Sequence, residues 1–267
     1  MDIKVVVKGG GDLGTGVAHR LHRAGMRIVI TELSRPLVIR RAVAFATAIY
    51  SGVVEVEGVR ARRGGSLEEA SAAHEKGEIP VLIDPQAQVV TQWEPDVLVD
   101  AIMAKRNTGT KITDAPLVIG LGPGFEAGLD VHAVVETARG HKLGRVILSG
   151  RAEADTGVPG EVAGHTFQRV LRAPSAGTFQ ALRRIGDRIE AGATVGYVGS
   201  QPVRAAIGGV LRGLIADGVE VVEGMKLGDV DPRGQVEYCF TISDKARAIG
   251  GGVLEAILYL GREKGLL

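Results

Sequence analysis

The feature that most constrains this chain is an internal repeat with an offset of 32 residues. Residues 172–198, RAPSAGTFQALRRIGDRIEAGATVGYV, align without a gap on residues 204–230, RAAIGGVLRGLIADGVEVVEGMKLGDV. Eight of the 27 positions are identical, and four of those eight are glycines set among alternating apolar residues. Such a pattern predicts short strands joined by tight turns. Two copies of one small β-unit can close a core that neither closes alone. An all-β domain is therefore expected here.

The duplicated unit resembles the biotinyl/lipoyl barrel-sandwich domain, through GDRIEAG at residues 186–192 and GVEVVEG at residues 218–224. In that family the modified lysine lies on the hairpin between the two halves. The junction here reads Gly199-Ser200-Gln201-Pro202, with no lysine. Lys226, which follows Met225 as in a biotin-acceptor pair, aligns instead with Thr194, a turn-to-strand position. The resemblance thus implies a carrier-like fold without an acceptor lysine.

The first half has a different rhythm. Residues 3–7 form an apolar run of the buried-strand kind. The loop Gly9-Gly10-Gly11-Asp12-Leu13-Gly14 follows, and Gly9, Gly11 and Gly14 fit G-x-G-x-x-G. Asp12 is a candidate helix N-cap. Leu13, Val17 and Leu21 recur as on the buried face of a helix, Gly25 ends it, and residues 26–31 read as a second strand. Glu32 closes that strand, 18 residues past Gly14. In this setting the glycines let a backbone approach a pyrophosphate, and helix amides favour its charge. Glu32 is then a candidate acceptor for a ribose diol. The plainer alternative is that the glycines only permit a tight turn and close helix–sheet packing.

Further strands and helices alternate through residue 148, including helices expected over residues 34–52 and 131–139. This alternation predicts a Rossmann-like α/β domain with a doubly wound, mostly parallel sheet over residues 1–165. The small β barrel-sandwich is expected over residues 166–238. A strand and a C-terminal helix over 239–267 are expected to pack back on the α/β domain. Ligands of such sheets sit outside the carboxyl ends of the strands. Three unusual loops fall at those ends: KGGGDLG, AKRNTGT and GLGPGFEAG. Lys105 and Arg106 add charge, Asn107 and Thr108 add hydrogen-bonding groups, and Gly122 and Gly124 repeat the glycine theme. Together they suggest one pocket for an anionic ligand of dinucleotide type; taken singly, each is an ordinary polar loop.

Composition narrows the classes. The net charge is +1, which points to neither a nucleic-acid nor a membrane-surface partner. The longest uncharged runs, residues 42–54 and 191–203, have 13 residues each, too few to span a bilayer. The start shows no signal-peptide layout, so a cytoplasmic setting is expected. The lone Cys239 cannot build an internal disulfide, a Cys-based zinc site or an iron–sulfur cluster. It reads as a buried structural thiol, with a sulfur- or selenium-handling role as the alternative. His19 and His22 share a helix face but lack a third ligand, and no metal site is expected. No Ser-His-Asp or P-loop spacing appears.

Longer segments carry a second resemblance: KGGGDLGTGVAHRL, RPLVIRRAVAFATA, VDAIMAKRN, VIGLGPGFEAGLDVHAVVETARGH and ISDKARAIGGGVLEAIL. Together they resemble an accessory family found with selenium-dependent molybdenum hydroxylases, distantly like xanthine dehydrogenase accessory factors. The resemblance implies maturation of a hydroxylase apoenzyme, by binding molybdenum cofactor, a pterin dinucleotide, and assisting its insertion or its modification with selenium or sulfur. It identifies no catalytic residue. The alternative is an NAD(P)-dependent oxidoreductase using the same glycine loop. A homo-oligomer is compatible with either.

Overall fold

Val5, Val6 and Val7 are fully buried because their strand lies in the middle of a nine-stranded sheet. The computed structural model describes residues 3–267. They form two units. One comprises residues 3–36, 44–155 and 242–267; the other comprises 37–43 and 156–241.

The first unit begins with β1 (Lys4–Lys8), α1 (Asp12–Arg23) and β2 (Arg27–Glu32), the two strands pairing in parallel. After the short α2 (Ala48–Ser51), β3 (Val53–Val56) and β4 (Val59–Gly64) form a hairpin. Glu57 and Gly58 both take positive φ there, which matches the twist of the flanking strands. Next comes α3 (Leu67–Glu75), capped by Ser66, whose Oγ accepts the Glu69 amide at 3.3 Å. Glu69 reaches back to the Gly65 amide at 2.7 Å. Then follow β5 (Ile79–Ile83), α4 (Val89–Trp93), β6 (Val97–Asp100) and β7 (Leu117–Leu121). The remaining strands are β8 (Glu126–Ala127), β9 (Ala133–Val135), β10 (Val146–Ile147) and β11 (Gly150–Arg151), and α5 (Asp244–Glu263) completes the unit.

The large sheet runs β10-β9-β7-β6-β1-β2-β5-β4-β3. Its interior pairs are parallel, while β3 and β10 pair antiparallel at the edges. Val6, Val29, Leu98, Val118 and Val134, one from each of five strands, pack with Val89 and Phe125 on one face. Elsewhere in the unit α1 meets α5 so closely that a Cβ at Gly16 would lie 2.7 Å from the Ala246 Cβ, and one at Gly250 would lie 2.8 Å from the Gly16 carbonyl oxygen.

The Rossmann-like, doubly wound expectation is therefore corrected: the sheet is mixed, and helices do not alternate with its strands throughout. Residues 131–139, expected as a helix, supply β9. Val131, Val134 and Val135 are fully buried, and a short apolar run reads alike as buried helix or buried strand. The helix expected over 34–52 is two 3-10 turns, Arg41–Val43 and Phe45–Thr47, followed by the four residues of α2. Between β6 and β7 the crossover at residues 101–116 contains no helix.

The second unit consists of β12 (Val170–Arg172), β13 (Gly177–Ala181), β14 (Arg188–Ile189) and β15 (Thr194–Val198), then β16 (Gln201–Arg204), β17 (Gly209–Leu214), β18 (Glu220–Val221) and β19 (Lys226–Asp231). The 32-residue offset maps the first four strands onto the last four. The barrel-sandwich expected over residues 166–238 is corrected to two four-stranded antiparallel sheets, β12-β19-β17-β14 and β16-β15-β13-β18. Each sheet takes two strands from each copy of the repeat. Their shared core includes Leu171, Phe179, Val195, Leu211, Leu214 and Leu227. Residues 37–43 belong to this unit: the Ile39 carbonyl accepts the Leu214 amide at 2.8 Å, and the Arg41 guanidinium donates to the Leu214 carbonyl at 2.7 Å. The strand expected from Cys239 onward before the C-terminal helix is not formed; Val236–Cys239 make a 3-10 turn instead.

No helix among the described residues is long and apolar enough to cross a membrane.

Candidate functional site

Strands β1, β6, β7 and β9 run parallel, so the loops after them leave on one edge of the sheet. The structure brings the glycine loop and residues 101–110 together there. A Cβ at Gly9 would lie 3.1 Å from the Ala101 carbonyl oxygen, and one at Gly14 would meet the Gly9 carbonyl. A Cβ at Gly124 would lie 2.7 Å from the Arg106 backbone, and one at Gly122 would run into the Thr137 hydroxyl. Gly11 is the extended N-cap of α1, whose first turn holds Asp12, Leu13 and Gly14. The amides of such a turn have no preceding helical carbonyl to serve.

Beneath the loops lies a buried polar chain. Lys8 Nζ donates to the Thr110 hydroxyl at 2.6 Å, and that hydroxyl donates to Asp100 Oδ2 at 2.6 Å. Lys8 and Asp100 themselves approach to 3.3 Å, and Asp100 Oδ1 accepts the Ile102 amide at 3.1 Å. All three side chains are buried. They pin the start and the end of the 101–110 loop to the ends of the two central strands. Asn107 folds inward and tightens the same loop, accepting the Gly109 and Thr110 amides at 2.9 and 2.8 Å and donating to the Thr110 carbonyl at 2.8 Å. Between these anchors Met103 and Lys105 take φ of 62°, a conformation costly for residues with a Cβ. Lys105, Arg106 and Thr108 stay exposed, with Lys105 3.7 Å from the exposed Asp155.

Glu32 also serves this edge. It accepts the Gly10 amide at 2.8 Å through one oxygen and the Leu33 amide at 2.9 Å through the other. Burial raises its pKa, against the pull of those two amides.

A residue from the far end of the chain completes the cluster. Lys245 lies in the first turn of α5, half-buried. Its pKa is lowered, first by burial, then by the charges of Lys105 and Arg139, while Asp12 and Glu136 work the other way. Its neighbours are anchored. Asp244 accepts both Arg139 guanidinium nitrogens, at 2.7 and 3.1 Å, and Ala246 abuts Gly16. The buried Glu136 is committed to backbone, accepting the Thr137, Ala138 and Glu153 amides at 2.7 Å each. Sequence reasoning missed Lys8, Asp100, Thr110, Arg139 and Lys245. For Lys8 and Asp100 the signal was present: each is a charge that follows three consecutive apolar residues at the end of a strand. For Lys245 there was none.

Other singled-out residues have structural settings. Cys239 is buried, its thiol 3.7 Å from the Leu211 carbonyl, with burial pushing its pKa up. His132 Nδ1 accepts the Val118 amide at 2.9 Å, and His74 stacks on Trp93. The described residues contain no group of three or more side chains that could hold a metal ion. Lys226 opens β19 as Thr194 opens β15.

No family model matches the chain. Among curated proteins it is similar to the uncharacterized protein YqeB of Escherichia coli (strain K12), with 49% identity over 256 residues. The match takes in 96% of this chain but 47% of that protein, so the chain spans about half the length of its relative. Among solved structures it is compared with the product-bound ectoine utilization protein EutE (DoeB) from Ruegeria pomeroyi, at 12% identity and a TM-score of 0.26 over 86% of this chain and 85% of that one. A succinylglutamate desuccinylase/aspartoacylase from Rhodobacter sphaeroides gives 14% identity and 0.26 over 86% and 85%. An aspartoacylase family protein from Mesorhizobium loti gives 12% and 0.28 over 86% and 84%. At these scores the three structures carry no argument about this chain's fold or chemistry.

These findings correct the functional expectation. The relative is uncharacterized and no family model matches. Neither points to a molybdenum hydroxylase accessory factor, so the selenium and molybdenum assignments are withdrawn. The NAD(P) oxidoreductase alternative goes with them, because both Glu32 oxygens already serve backbone amides instead of standing ready for a ribose diol.

Proposed function

We propose that the first unit binds a small phosphate-bearing anion at the carboxyl edge of β1, β6, β7 and β9. The observation that carries this reading is the convergence of two loops at that edge: a Cβ at Gly9 would lie 3.1 Å from the Ala101 carbonyl oxygen, and one at Gly124 would lie 2.7 Å from the Arg106 backbone. Lys105 and Arg106 stand exposed on the second loop. The first-turn amides of α1, which follow Gly11, are donors of the kind phosphates take. The strained backbone at Met103 and Lys105 fits a loop shaped for a ligand. A cytoplasmic setting belongs to the same proposal, since phosphorylated metabolites are concentrated there.

The test is titration calorimetry with inorganic pyrophosphate at low and high salt. Saturable binding that weakens with salt is expected. Absence of binding at low salt would remove the reading.

A further inference from the structure

We propose that the outer face of α5 pairs with the same face of a second copy of this chain, two-fold and antiparallel, with Glu255 of each copy against Arg262 of the other. None of the residues involved belongs to the anion site above.

α5 has two faces. One is committed inward, where Ala246, Ile249, Val253, Ala256, Ile257 and Leu260 are buried. The other borders a cleft of about 720 Å³, walled by Leu254, Leu258 and Tyr259, with Arg20 of α1 alongside. Gly251, Leu254, Leu258 and Arg262 follow one another at steps of three and four residues, so they share one side of the helix. Tyr259, next to them, is 53% exposed, an aromatic of the kind that interfaces bury.

The glycines of α5 show that something approaches from outside. Two of the three consecutive glycines are needed for packing within the unit. A Cβ at Gly250 would lie 2.8 Å from the Gly16 carbonyl oxygen, and one at Gly252 would run into the Gly144 carbonyl oxygen. Gly251 has no such neighbour: the nearest atom to a Cβ there is an Arg20 guanidinium nitrogen at 4.0 Å. A glycine inside a helix costs stability relative to alanine, and no contact within the unit requires this one. It lowers the floor of the cleft, where a second helix can come close.

The charges select the occupant. Arg20, Glu255, Arg262 and Glu263 border the cleft, two of each sign, and all are exposed. Glu255 and Arg262 lie on the same side of α5, but seven residues apart, beyond the three or four of a pair within one helix. Neither makes an ion pair among the described residues. A face with opposite charges on either side of its centre is its own complement about a two-fold axis. An axis between Leu258 and Tyr259 sets Glu255 of each copy opposite Arg262 of the other, and Leu258 of each against Tyr259 of the other. A partner of uniform charge would meet like charge over half of this face. One helix pair covers less than the about 800 Å² per partner of a standard interface, so a weak dimer is expected, with a dissociation constant on the order of 10 μM.

The experiment is sedimentation equilibrium of the full chain from about 1 to about 200 μM, a range bracketing that constant. The mass is expected to rise from monomer to dimer. Arg262→Glu sets like charges face to face twice per dimer and should weaken association about tenfold. Glu255→Arg should do the same. Both positions are exposed, so the variants should keep the wild-type circular dichroism. The double variant Glu255→Arg with Arg262→Glu exchanges the signs and should recover the wild-type constant, which damage to the monomer would not. Tyr259→Ala should also weaken the dimer. A chain that stays monomeric at every concentration would overturn the pairing and leave the cleft to a different occupant. A dimer indifferent to the single reversals, or not recovered in the double variant, would overturn it equally.

Discussion

Glu32 accepts the amide hydrogen of Gly10 at 2.8 Å, so the acidic residue at the end of β2 braces the glycine loop from within the protein. The same loop is pressed from other sides, since a Cβ at Gly10 would lie 2.9 Å from the Ala46 amide nitrogen. The glycines are thus required by packing, whatever ligand the edge receives.

Replacing Glu32 by Ala strands the Gly10 amide without its acceptor. A loss of about 1–3 kcal/mol is expected from urea unfolding. Glu32 also sets a pH dependence. Its folded pKa is raised, so its contribution to stability is full below the ordinary carboxylate range and is lost as pH rises through the raised value. Glu32→Gln removes this titration. Its stability relative to wild type should improve as pH rises above the ordinary carboxylate range; a constant difference would exclude the assignment.

Asp231 should behave in the opposite sense. Burial opposes its ionisation, but Arg233, bonded at 2.9 and 2.6 Å, outweighs burial with help from Arg212, and its pKa is lowered. A lowered folded pKa gives stability that is present above the ordinary aspartate value and lost as pH falls through the folded one. Asp231→Asn should flatten the acid side of the stability profile and leave the neutral side parallel to wild type.

Thr110 links Lys8 to Asp100. Thr110→Val removes two hydrogen bonds to charged partners inside the protein, and a loss of about 1.5–3 kcal/mol is expected. Thr110→Ser keeps the hydroxyl and should recover most of it. Equal losses for both variants would show that the methyl group, not the hydroxyl, matters.

Gly16 lies where α1 meets α5. Gly16→Val forces the helices apart and should lower stability by about 1–3 kcal/mol through overpacking. Hydrogen exchange should show faster opening in α5; unchanged protection there would contradict the contact.

Lys105→Ala with Arg106→Ala should weaken pyrophosphate binding by about one to several powers of ten, as charge-assisted hydrogen bonds of about 1.5–3 kcal/mol each are lost. The deficit should shrink at high salt. Unchanged affinity would return residues 105–108 to an ordinary surface loop.

Local signals in the sequence determined much. The strand–glycine loop–helix–strand opening and the turns of the 32-residue repeat are short-range patterns, and each is found where its residues place it. A turn residue, a cap or an apolar period acts on neighbours along the chain. Tertiary structure decided what such patterns leave open. Residues 131–139 became a strand because a buried apolar run takes its form from the partners available, and here β7 and β10 were those partners. The repeat foretold strands, but only folding decided that each sheet draws two from each copy. Glu32 had the spacing of a ribose ligand, yet its position under the loop committed it to amides. Asp244 holds the Arg139 guanidinium although 105 residues separate the two in sequence. Electrostatic neighbours are set by distance in space, and no local pattern in the chain encodes that distance.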